Sequence, residues 1–129
     1  MLAVDTNVVV RLVTNDEPAQ ARRALSAFTR NPIFIGKTVL LELVWVLRYS
    51  YELDRVTILR ALRGILGLDN VSAEDDVNVA KAIAMYEAGL DFADALHLAS
   101  CGPARRFGTF DSRLTRSAKR HGEVEVVKL

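Results

Sequence analysis

Cysteine is almost absent. Cys101 is the only one in 129 residues. No internal disulfide can form, which fits a reducing, cytoplasmic setting. A lone thiol of this kind reads as a small residue of the core or of a helix end. With only two histidines beside it, far apart in the chain, there is no Cys/His set for zinc. No apolar run reaches the roughly 18 residues of a membrane span. The start, "MLAVDTNVVV", carries an acid at position 5 and no basic n-region, so it does not read as a signal peptide. Asn70-Val71-Ser72 matches a glycosylation sequon, which without a secretion route reads as chance. Neither charge dominates: 17 basic and 16 acidic residues give a net charge of +1. That excludes a fold acting as a general polycation. Nucleic acid would have to be held by local patches and metal ions.

What is present is apolar sequence in short, well-punctuated blocks. Half the residues are apolar, and a chain of this size buries about two-thirds of its unfolded surface. "LAV" ends at Asp5 and reads as a buried strand. "TNVVVRLVT" turns at once into a helix that Thr6 or Asn7 can cap. "NDEPAQARRALSAFTR" is a second helix, capped by Asn15 or Asp16 and stopped at Asn31-Pro32. "IFI" is a strand closed by Gly36. "TVLLELVWVLRYSY" is helical by length and apolar nearly all round, which marks a central, buried helix. "DRVTILRALRGILGL" is amphipathic, and "NVS" fits a brief strand. "AEDDVNVAKAIAMYEAG" is a helix with acids in its first turn and Gly89 after its end. A helix from Asp91 to about Ser100 breaks at Gly102-Pro103. A strand near 107–110, a short basic helix "SRLTRSAKRHG" and a last strand "VEVVKL" complete the chain. Alternating strands and helices imply one α/β domain over residues 1–129, a three-layer α/β/α sandwich with a mostly parallel central sheet.

Four acids stand out. Asp5 and Asp111 end strands, where parallel α/β folds build their sites. Glu42 is the only charge between Thr38 and Leu47, and Asp94 lies among Phe92, Ala93, Ala95, Leu96 and Leu98. Asp91 precedes Asp94 by one helical turn. Each acid has a plain structural reading: a helix cap for Asp5 or Asp111, an ion pair with Arg48 or Arg11 for Glu42, one with Arg105 or Arg106 for Asp94. Four together favour a shared cause. Clustered carboxylates repel, and hard Mg²⁺ or Mn²⁺ relieves that through oxygen ligands. Gly36-Lys37-Thr38 is not a phosphate loop, because the required glycine five residues earlier is Asn31. An aspartyl-phosphate role for "DTN" leaves Glu42 and Asp94 unexplained. His97, one turn after Asp94, is read as a packing residue and not a general base.

"VDTNVVVRL", "LLELVWVL", "DFADALHLA" and "TFDSRL", in this order, resemble the signature segments of the PIN domain and, more narrowly, of VapC-type toxins. The resemblance covers essentially the whole chain. It implies a Mg²⁺- or Mn²⁺-dependent endoribonuclease whose quartet is Asp5, Glu42, Asp94 and Asp111. It places the polar helper before the last acid at Thr109. A further acid that some members carry two residues after the last one is Arg113 here. On this reading Asp5 and Asp94 bind metal, and Glu42 and Asp111 hold a second ion or orient water. Thr6, Asn7, Thr109 and Asp91 support them. Arg11, Arg105, Arg106, Arg113 and Arg116, with Lys119 and Arg120, would meet RNA phosphates. Trp45, Tyr49 and Tyr51 would stack bases or pack; packing in the core or a dimer is the favoured expectation. The implied partners are an RNA substrate, a small VapB-like antitoxin and a second copy in a homodimer that uses the Glu42 helix and "YSYEL". The competing functions are a non-catalytic RNA-binding or regulatory module and a DNA or flap nuclease.

Overall fold

The computed structural model describes residues 1–121 and 123–129. Gly122, the last residue of the expected basic helix, lies outside them. The chain forms two compact units, residues 1–76 and 77–129, each described by itself.

In the first unit the elements are β1 (Leu2–Ala3), α1 (Thr6–Thr14), α2 (Pro18–Arg30), β2 (Ile33–Ile35), α3 (Lys37–Trp45), α4 (Arg55–Leu66) and β3 (Val71–Ala73). The strands pair in parallel in the order β1-β2-β3, with Leu2 opposite Ile33 and Ile35 opposite Ala73. Parallel neighbours need crossovers, and helix pairs supply them. Ile33, Ile35, Leu40, Leu43, Leu47, Ile58 and Leu62 are fully buried. β1 departs from expectation: Leu2 and Ala3 are exposed and only Val4 is buried. In this sheet β1 is an edge strand, paired on one side only.

The central helix also departs from expectation. It is α-helical only to Trp45 and continues as a π-helical stretch over Val46–Ser50. Leu40, Leu43, Val44 and Leu47 are buried, but Trp45 and Tyr49 are 59% and 61% exposed. An almost wholly apolar helix therefore keeps one outward line of residues. Asn15 or Asp16 was the expected cap of α2. Asn15 instead ends α1 in the left-handed conformation, and Asp16 is drawn away by Arg11 and Tyr51. The first turn of α3 is reached from the turn after β3, since Glu74 accepts from the Lys37 N–H at 2.9 Å.

The second unit holds α5 (Asp76–Glu87), α6 (Phe92–Ala99), β4 (Arg106–Thr109), α7 (Ser112–Ala118) and β5 (Glu125–Lys128). β4 and β5 pair in parallel, with α7 as the crossover. Gly89, at φ +120°, ends the turn after α5, a conformation that favours glycine. Tyr86 and Phe92 meet edge to face at 5.5 Å, which fixes the start of α6 against the end of α5. The parallel α/β class is borne out, with strands paired as a set of three and a set of two.

Candidate functional site

Three of the singled-out acids are helix caps. Asp5 Oδ1 accepts from the Val8 N–H at 3.2 Å. Asp91 Oδ2 accepts from the Asp94 N–H at 3.2 Å. Asp111 Oδ1 accepts from the N–H groups of Arg113 and Leu114 at 2.8 and 3.3 Å. The plain reading of Asp5 and Asp111 is thus realised. It does not exhaust them, because each cap uses one oxygen and fixes the direction of the other.

In the first unit, Thr6, buried at the start of α1, donates its hydroxyl to Glu42 Oε1 at 3.2 Å. This bond ties the residue after Asp5 to the carboxylate of α3. Asn7 is exposed, with no side-chain partner among the described residues. Glu42 pairs with neither Arg48 nor Arg11.

Arg11 is engaged elsewhere. It donates to Gln20 at 2.8 Å, to Asp16 at 3.0 Å and to the Tyr51 hydroxyl at 3.2 Å. Tyr51 in turn donates to Asp16 at 2.6 Å. The hydroxyls of Tyr51 and Thr14, together with the Arg11 charge, hold the Asp16 carboxyl below its ordinary range. Arg11 and Tyr51 are therefore structural groups here, which sequence spacing did not reveal.

In the second unit, Asp94 is half-buried on α6. Its carboxyl is pushed above the ordinary value, first by burial, then by the charges of Asp91 and Asp111; His97 and Arg113 oppose the rise. Asp94 is the one member of the quartet in the apolar surroundings that the sequence suggested for all four; Asp5, Glu42 and Asp111 are exposed. The Thr109 hydroxyl accepts from the Asp111 N–H at 3.0 Å, so it does orient the chain at that acid. Arg105, Arg106, Arg113 and Arg116 are exposed, and Arg106 stands 3.8 Å from Glu125. Cys101 sits just past α6, donates to the His97 carbonyl at 3.5 Å, and burial pushes its thiol up. It is a helix-end residue.

The PIN domain family matches residues 2–120. The chain belongs to the PIN domain family. No curated protein matches it closely enough to count as a relative. PIN domains are generally metal-dependent nucleases, which fits carboxylates on these elements. The donor chemistry of this PIN domain suits a hard cation: Asp91, Asp94 and Asp111 offer only oxygen, and their mutual repulsion is what a cation relieves. Among the described residues, however, no three His, Cys, Asp or Glu side chains stand together as a metal-holding group. Also among them, no helix is long and apolar enough to cross a membrane.

Sequence reasoning missed the outward line of α3. Thr38, Glu42, Trp45 and Tyr49 are all exposed. Their spacing of four, three and four is that of one helical face, and it could have shown them.

Proposed function

We propose that this PIN domain is a metal-dependent endoribonuclease with Asp5, Glu42, Asp94 and Asp111 as its carboxylates. The observation that carries the reading is Asp94: a carboxyl raised by burial and by two neighbouring acids is a proton- and cation-seeking group in a family of nucleases.

Asp5 and Asp94 would hold Mg²⁺ or Mn²⁺, with Glu42 and Asp111 completing the set. Bound there, a divalent ion supplies charge neutralisation at the phosphate and acidifies water. The chain's own residues do the positioning. Thr6 holds one oxygen of Glu42, and the cap bonds hold Asp5 and Asp111 with an oxygen to spare. Thr109 steadies the backbone at Asp111, and burial, with the charges of Asp91 and Asp111, holds the Asp94 carboxyl above its ordinary value. Water adds to phosphorus as the P–O3′ bond breaks and O3′ takes a proton, which leaves 5′-phosphate and 3′-hydroxyl ends. Arg105, Arg106, Arg113 and Arg116 meet RNA phosphates; Arg11, tied to Asp16 and Tyr51, is left out of that role.

The biological role proposed is the toxin of a VapBC-type pair, acting in the cytoplasm as a homodimer. Its natural inhibitor is a small antitoxin whose Arg or Lys enters the acidic site. One observation favours a non-catalytic RNA-binding module instead: the lack, among the described residues, of an assembled group of three ligands. Incubating the purified protein with single-stranded RNA and DNA, in Mg²⁺, Mn²⁺ or chelator, separates the two. Cleavage of RNA alone, abolished by chelator, is expected. Binding of RNA without cleavage in either metal would establish the module.

A further inference from the structure

We infer that Trp45 and Tyr49 form a stacking platform for unpaired RNA bases beside Glu42. The inference deepens the nuclease reading and rests on it for the role of Glu42. Thr38, Glu42, Trp45 and Tyr49 make one exposed line along α3 and the π-helical stretch, while Leu43, Val44 and Leu47 behind them are buried. The two rings lie 5.5 Å apart, tilted by 47°. The Arg48 guanidinium is 5.8 Å from the centre of the Tyr49 ring. Nothing in the unit's packing needs these rings outside, where more than half of each meets water. π-Helical turns are frequent at functional sites; here the stretch carries Tyr49 and Arg48.

The chemistry selects the occupant. Exposed aromatic faces beside an arginine are what unpaired nucleobases and their phosphates require. A paired duplex cannot offer a base face. At about 1.5 Å per residue, Trp45 lies about 4.5 Å and Tyr49 about 10 Å along the axis from Glu42. A phosphate served by Glu42 would therefore have its neighbouring bases over the rings. A second copy of the chain fits this face less well. The stripe is two rings wide and bounded by Glu42 and Arg48, whereas a stable dimer interface takes about 800 Å² from each partner with charge depleted at its core.

Trp45 is the only tryptophan, so its fluorescence reports this face directly. The full chain, in chelator so that no RNA is cut, is titrated with a short oligoadenylate, with a duplex of the same length and with inorganic polyphosphate. The proposal expects saturable quenching by the single strand and little by the other two. Tyr49→Ala, an exposed change that keeps the reporter, should weaken single-strand binding by about tenfold. With metal restored, it should raise KM for single-stranded RNA more than it lowers kcat. Equal quenching by duplex and single strand, or none by either, overturns the platform. So does a blue shift with protein concentration alone, in step with a doubling of mass that Tyr49→Ala abolishes, because a second copy then covers the rings. RNA cleavage without quenching sinks the platform and spares the nuclease reading; quenching without cleavage does the reverse.

Discussion

Asp94 ties the stability of the fold to pH. Burial and the charges of Asp91 and Asp111 raise its carboxyl, so the folded chain holds that proton more tightly than the unfolded chain. The resulting penalty is absent below the ordinary carboxylate range and fully present above the raised folded value. Asp94→Asn should therefore raise the melting temperature of the metal-free protein at neutral pH, and the gap should close in acid. Thermal melts in chelator across pH check this; a lower melting temperature for the variant at neutral pH would contradict it. Thr109 acts one step away, through the Asp111 N–H. Thr109→Val should raise the metal concentration needed for half-maximal cleavage by about 10- to 100-fold, the usual cost of losing a ligand's support. An unchanged metal requirement would remove Thr109 from the site. At this scale the sequence singled out four acids and the residues around them. It did not show their environments: Asp5 and Asp111 stand in apolar sequence yet lie exposed as caps, because chain neighbours are not spatial neighbours.

At the scale of elements, α1 is tied to α3 and its continuation at two levels. Thr6 bonds Glu42 at one level, and Arg11, Asp16 and Tyr51 lock together at the other. Asp16's lowered carboxyl stabilises the fold above the ordinary carboxylate range, and that contribution fades as pH falls through its lowered folded value. Tyr51→Phe should lower the denaturant midpoint at neutral pH and flatten the acid limb of the stability curve. Chemical denaturation at neutral and acid pH measures both; an unchanged limb would show that the lock holds nothing. Most helix and strand spans were legible from caps, glycines and apolar period. The π-helical stretch was not, since "VLRYS" carries no break signal and an α-helix satisfies the same pattern. Nor was the exposure of β1, because a three-residue apolar run reads alike in the middle of a sheet and at its edge.

At the scale of the molecule, the near-neutral charge leaves no general polycation to hold nucleic acid, and the proposed toxin role requires restraint from outside. Expressing the chain alone should arrest growth with loss of intact RNA. Asp5→Asn should not do so, and co-expression of a small partner should restore growth. Growth and RNA integrity after induction are the readout, and identical behaviour of wild type and Asp5→Asn would remove the toxin role. The parallel α/β class was legible from alternating strands and helices and the family from four ordered segments; the split of the strands into sets of three and two was not, because strand order depends on pairing that no segment encodes alone.

The central claim, that this PIN domain cuts RNA with its carboxylates and a divalent ion, is tested most directly by the Mg²⁺ dependence of single-stranded RNA cleavage by the purified wild-type chain and by Asp94→Asn. Cleavage that rises with Mg²⁺ in the wild type, leaves 5′-phosphate ends and is absent from a folded Asp94→Asn is the predicted result. Equal cleavage by both chains, with contaminating nuclease excluded, would contradict it.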